Sequence, residues 1–186
     1  MKRFVPIAAF FTTAALASAP APANGQDLEA TIERALAAAP NRSREDAAVV
    51  KWNADHTYET LKEGSNRMVC YDRSGEARRQ PFAVQCTSVA NLPRIAQSRR
   101  FDAESENRQE SQAKVAAAEA DGTRIPPEYG SVFYSMNGRD RESSGVHKTI
   151  AVPGATTEST GLPGDSSAGG AWLMNSGTTT AHIMTP

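Results

Sequence analysis

Histidine occurs three times in this chain of 186 residues, and cysteine and tryptophan twice each. The signatures that depend on those residues are missing. There is no C-x-x-C-H for covalent haem, no H-E-x-x-H for zinc and no C-x-x-C redox spacing. Phosphate-cradling loops of the form G-x-x-x-x-G-K or G-x-G-x-x-G are absent, as is the G-x-S-x-G nucleophile elbow. Charge of one sign is also lacking: 20 Lys and Arg stand against 21 Asp and Glu. That balance argues against a nucleic-acid partner, whose phosphates require clustered basic residues. Beyond the first two dozen residues no apolar run is long enough to cross a bilayer, so no stable membrane anchor is expected once those residues are removed.

What is present begins with a leader. Lys2 and Arg3 precede the largely apolar run Val5 to Ala17, and small residues follow in Ala17-Ser18-Ala19 and Ala21-Pro22-Ala23. Basic start, short apolar stretch and small-residue exit are the layout of a secretory signal. Cleavage after Ala23 is preferred, because Pro20 directly follows the other option. Residues 1–23 therefore read as a signal peptide and 24–186 as one exported domain, periplasmic or extracellular. The mature segment keeps 18 basic and 21 acidic residues, an ordinary soluble surface. In such a compartment Cys70 and Cys86 read as a disulfide tying the base of the polar excursion from Asp72 to Pro81. Closing that loop is worth about 3 kcal/mol in the chain-entropy model.

Periodicity supplies the elements. Leu28, Ile32 and Leu36 form one stripe of a helix from Asp27 to Ala39, stopped by Pro40. Ala47–Trp52, Thr57–Glu63 and the Cys70 run read as strands separated by turns, which suggests a three-stranded meander. Phe82–Cys86 follows as a strand. Val89–Phe101 is spaced for a helix with Pro93 in its first turn, and Glu104–Asp121 reads as a solvated helix ended by Gly122. Strands are expected again at Ser131–Met136, Val146–Val152, Ala171–Asn175 and Thr180–Thr185. Pro153 to Gly170 is rich in Gly, Pro, Ser and Thr and reads as a long loop. The sum is α+β: an antiparallel sheet of about six or seven strands, an N-terminal helix, one or two inserted helices and one disulfide. The terminal strand is expected in the sheet interior, because it carries apolar residues to its end.

Several of these segments resemble a group of uncharacterised exported bacterial proteins. The matching pieces are Leu61-Lys62-Glu63-Gly64-Ser65-Asn66 running into Cys70, then Cys86, Gly130 with Tyr134, and His147 with Pro153. Gly161-Leu162-Pro163, Trp172 with Met174, Gly177-Thr178, Ala181-His182-Ile183-Met184 and Pro186 complete the pattern. The group carries a tryptophan near the positions of Arg67 and Met68 that this chain lacks. The resemblance implies export and brings no activity, cofactor or partner with it.

Three readings of function are compatible with these residues. The first is a non-enzymatic exported domain that binds a ligand or partner, for which Asn66, Arg67 and Trp172 are candidate pocket residues. The second is a Cu(I) site. His182 and Met184 share one face of the last strand, and His147 could join them if its strand pairs there, giving imidazole and thioether ligands suited to a soft ion. The third is an enzyme whose acid–base pair is Asp140 and His147, with Asn137 to Gly145 as an active-site loop. His56, in a turn, is expected to be exposed.

Overall fold

The computed structural model describes residues 25–185, so the leader read over residues 1–23 lies outside the described residues. The first helix, α1 (Gly25–Ala35), is amphipathic and tightens into a 3-10 turn at Leu36–Ala38. Ala39, which precedes Pro40, is extended, as the proline ring demands. A one-turn helix, α2 (Asn41–Arg44), leads to the strands β1 (Ala48–Trp52), β2 (Tyr58–Lys62), β3 (Met68–Asp72) and β4 (Phe82–Ser88). Two helices follow, α3 (Leu92–Ala103) and α4 (Arg108–Ala120). The chain then forms β5 (Val132–Gly138), β6 (His147–Ala151), the short α5 (Thr157–Thr160), β7 (Trp172–Met174) and β8 (His182–Met184).

All eight strands join one sheet in the order β2-β1-β3-β4-β5-β6-β8-β7. The α+β class and the helices inserted between β4 and β5 are as the sequence implies, but three expectations need correction. The strand count is eight rather than six or seven. The sheet is not wholly antiparallel, because β1 and β3 run parallel. The first three strands are therefore no meander: β1 lies between β2 and β3.

That crossover has a local cause. After the β1–β2 hairpin the chain must pass back over the start of β1 to reach its far side. It does so at Gly64, where a Cβ would lie 2.3 Å from the Ala48 amide nitrogen and 2.7 Å from the Asp46 carbonyl. The crossing is clasped by the amides of Ser65 and Asn66, both donating to the Asp46 carbonyl. Ser65 Oγ adds a bond to Asp46, Asn66 Nδ2 donates to the Ser43 carbonyl, and Lys62 Nζ donates to the carbonyls of Glu45 and Ala47. The Lys62-to-Asn66 motif is thus a backbone device.

Side chains alternate across the sheet and build a core on each face. On one face Val49, Cys70, Val84, Cys86 and Met136 pack under Ala35, Leu36 and Ala38. The Cys70–Cys86 disulfide joins directly opposed residues of β3 and β4 within this layer. On the other face Val50, Val69 and Tyr71 pack under Leu92 and Ile95 of α3. Asn91 is fully buried and fully used: Nδ2 donates to Thr87 and Ser131, and Oδ1 accepts from the Glu128 amide. A third core of Val152, Ala155, Leu173 and Ala181 lies at the β7–β8 end. The 153–170 segment that covers it is more structured than its composition suggests. Thr156 and Ser159 form a reciprocal capping box for α5, and Gly161 closes that helix at φ +68°.

Strand β8 is interior, paired to β6 on one side and β7 on the other. Two predictions follow from this geometry. Truncation after Thr179 would remove the β8 ladder that holds β7 and expose Leu173, so the shortened chain is expected to fail to give a cooperative melt. Gly64→Ala is expected to cost about 1–3 kcal/mol, as overpacking does, measured as a fall in the urea midpoint with an unchanged slope.

Candidate functional site

Positions singled out in the sequence do not assemble into one site. Asn66 is spent on the crossover, donating to Ser43 and accepting from the Met68 amide, and Arg67 is paired with Glu128. Trp172 is on β7, with four strands between it and β3, so the pocket of Asn66, Arg67 and Trp172 does not form. Asp140 bonds to Ser143 and Arg139, and these contacts, the Ser143 hydroxyl first, hold its carboxyl below the usual range. His147 is exposed, opposite Ser135, and makes no ion pair with Asp140. The bonds of Asp140 all lie within its own loop.

The copper reading is altered by register. Strands β6 and β8 do pair, but His182 faces Ala151 and Met184 faces Thr149. His147 is four residues from Ala151, roughly 13 Å along the strand at its usual rise. His147 and His182 therefore cannot share an ion. The residue across from His182 is Met174. His182 Nδ1 lies 2.8 Å from the Thr180 carbonyl, which can only accept, so Nδ1 carries the proton and Nε2 is left as the acceptor.

An apolar cavity is found at the opposite end of the sheet, around Trp52. Its frame is the β1–β2 hairpin, in which Trp52 faces Tyr58 with ring centroids 5.4 Å apart. The hairpin loop is held by Asp55 Oδ1, which accepts from both the amide and the hydroxyl of Thr57; those bonds keep its carboxyl below the ordinary value. His56 closes the loop at φ +68°. Contrary to expectation it is half-buried, and Nδ1 has neither solvent nor a protein partner. Because β3 is the other neighbour of β1, Tyr71 meets the Trp52 ring edge-on at 5.9 Å. Arg99 of α3 lies over the same ring, 5.1 Å from its centroid. The indole is held from three sides, and its Nε1–H is buried without an acceptor.

Beside this ring is an apolar cavity of about 450 Å³, walled by Trp52, His56, Tyr58, Val89, Leu92, Pro93 and Ala96. Val89 and Tyr58, at its rim, are about half exposed. On the far side of Trp52, Arg99 turns toward Glu76, whose carboxylate also receives Arg73 (2.9 Å) and Arg79 (3.4 Å). A polar chain extends from there: Arg73 and the Tyr71 hydroxyl both donate to Gln85 Oε1, and Gln85 Nε2 donates to Ser135. Burial raises the Tyr71 hydroxyl well above its ordinary value, so it stays a proton donor. Sequence reading passed over Trp52 because a tryptophan at a strand end carries no motif. The signal it did carry was its hairpin partner Tyr58, two aromatics flanking a five-residue turn.

No protein-family model, curated protein or solved structure matches this chain. Among the described residues no helix is long and apolar enough to cross a membrane.

Proposed function

We propose that this chain is an exported, non-enzymatic domain that binds a small aromatic or apolar ligand, with the cavity beside Trp52 as its site. The single observation that carries the reading is an apolar cavity of ligand size with the fixed Trp52 ring in its wall and Val89 and Tyr58 half exposed at its rim. Small-molecule sites are concave and lined mostly by apolar and aromatic side chains. Trp52 is already immobilised by Tyr58, Tyr71 and Arg99, so little side-chain ordering opposes binding. Export rests on the leader pattern and fits the disulfide; placement in the periplasm or medium follows from the same leader. The non-enzymatic reading rests on the missing catalytic motifs.

The test is ligand-observed NMR with a set of neutral aromatic alcohols and amides. Members of the set are expected to bind the wild-type chain and to lose binding in Val89→Asp, which puts a charge at the rim. Trp52→Ala, which removes the aromatic wall, is expected to weaken binding at least tenfold, since burial against such a ring is worth more than about 1.4 kcal/mol. A set with no binder, or binders indifferent to Val89→Asp in a folded protein, would refute the proposal.

A second reading is favoured by the β7–β8 register, which sets Met174 across from His182 with Met184 two residues on. It is Cu(I) binding through His182 Nε2 and those thioethers, without His147. Under reducing conditions it predicts one Cu(I) per chain, weakened at least tenfold in the His182→Ala, Met184→Ala double variant; equal affinity in both proteins removes it.

A further inference from the structure

The hairpin of β7 and β8 sorts its side chains by chemistry. Its register pairs Trp172 with Met184, Leu173 with Ile183 and Met174 with His182. Directly opposed residues of an antiparallel pair lie on one face, and residues along each strand alternate between faces. Trp172, Met174, His182 and Met184 therefore share a face, and Leu173 and Ile183 take the other. That other face is closed: Leu173 is buried in the third core and Ile183 packs against it. The face of the four is open, with Met174 39% exposed and Trp172, His182 and Met184 half-buried. None of the four is part of the three apolar cores. Core packing thus gives no account of two thioethers, an imidazole and an indole gathered on two three-residue strands. The same rows continue onto β6 with Thr149 and Ala151, so no carboxylate or ammonium group stands beside them there.

The spacing allows these groups to meet on one ion. Opposed side chains start from Cβ atoms about 4.5–5.5 Å apart and diagonal ones about 7–8 Å apart, distances that methionine and histidine side chains span. His182 Nδ1 is committed to the Thr180 carbonyl at 2.8 Å, so Nε2 is the nitrogen available. One imidazole and two thioethers, with no carboxylate, suit a soft monovalent ion and not a hard divalent one. Trp172 adds what those ligands lack. It stands directly across from Met184 and diagonal to His182, and the face of a tryptophan is the best aromatic partner for a cation. We infer that Trp172 completes a site for Cu(I) or Ag(I) with His182, Met174 and Met184, its indole covering the bound ion and keeping water from its open side. The inference rests on the Cu(I) reading of this face and is independent of the Trp52 cavity. Three soft ligands leave one side of the ion unfilled, and a π-face fills it without adding a bond that would lock the ion in place. The half-exposure of the face suits an ion held in this exchangeable way.

The experiment is titration of the full mature chain with silver nitrate in chloride-free buffer, followed by tryptophan emission and by calorimetry. Ag(I) shares the charge and softness of Cu(I) and undergoes no redox change. Quenching that saturates at one Ag(I) per chain is expected, with sodium and zinc nitrates leaving the emission unchanged. In Trp172→Phe the remaining indole is Trp52. That variant is expected to show no quenching and to bind one Ag(I) about tenfold more weakly, the worth of a partly desolvated cation–π contact. A tryptophan that merely packs on Met184 would shift the melting temperature and leave the emission indifferent to the ion. If Trp172→Phe does not fold, Met174→Leu, at an exposed position, is expected to move the quenching curve to at least tenfold higher Ag(I). The inference is overturned if Ag(I) binds without quenching, or if Met174→Leu leaves the curve where it was. It is equally overturned if folded Trp172→Phe is still quenched or binds Ag(I) as tightly as the wild type. In those cases an affinity that still falls in the His182→Ala, Met184→Ala variant leaves the Cu(I) reading standing. Absence of any Ag(I) binding removes the reading and the inference together.

Discussion

The placement of every group at the candidate site depends on one close approach, the passage of Gly64 over the backbone of residues 46–48. With no side chain there, the chain leaves β2, crosses β1 and pairs β3 alongside it in parallel. Trp52 consequently has Tyr58 on one flank and Tyr71 on the other. Had the three strands formed a simple meander, β2 would separate Trp52 from Tyr71, and the indole would lie on an edge strand with one neighbour. The hydrogen bonds from Ser65, Asn66 and Lys62 onto residues 43–47 hold the crossing in place.

The sheet divides its labour between faces. One face is sealed by α1 and the following turn over the disulfide, an apolar layer in which alanines permit close approach. The other face receives α3, whose first turn contributes Leu92 and Pro93 to the apolar cavity and whose third turn sets Arg99 over the Trp52 ring and against Glu76. The helices are in turn anchored to the far end of the chain. Arg94 donates to the Ile125 carbonyl and to Thr179, and Glu119 accepts from the amide and hydroxyl of Thr179. Burial and the charge of Arg124 bring Arg94 down to about 10, so at neutral pH it remains a cation in these bonds. The approach to β8 is therefore coupled to the helices that frame the site.

Trp52 serves two roles at this end of the sheet. Trp52 offers a flat apolar surface to one side and receives a cation on its face from the other. Arg99 is held by that ring and by Glu76, which leaves it ordered before anything binds. Preorganisation of this kind favours selective binding of a small molecule over adaptation to a large surface.

Much of the fold was legible in the residues. The apolar stripe of α1, the stop at Pro40, the cysteine pair, the two inserted helices and the interior position of β8 in the sheet all follow from periodicity and local chemistry, although Ile183 and Met184 themselves are only half-buried. Sequence also placed His182 and Met184 on one face, because strand alternation is a local property. What it could not supply was neighbourhood. A two-residue strand repeat says which side a residue faces, but not which strand lies beside it or in what register. Alternation alone therefore leaves His147 free to meet His182 or Asp140, and Trp172 free to meet Asn66, and only register and strand order separate them. The site around Trp52 draws on residues from 52 to 99 in five separate segments. Their meeting is decided by the parallel pairing of β1 with β3 and by the docking of α3 on that face. Both are long-range events whose local trace is one glycine with no room for a side chain.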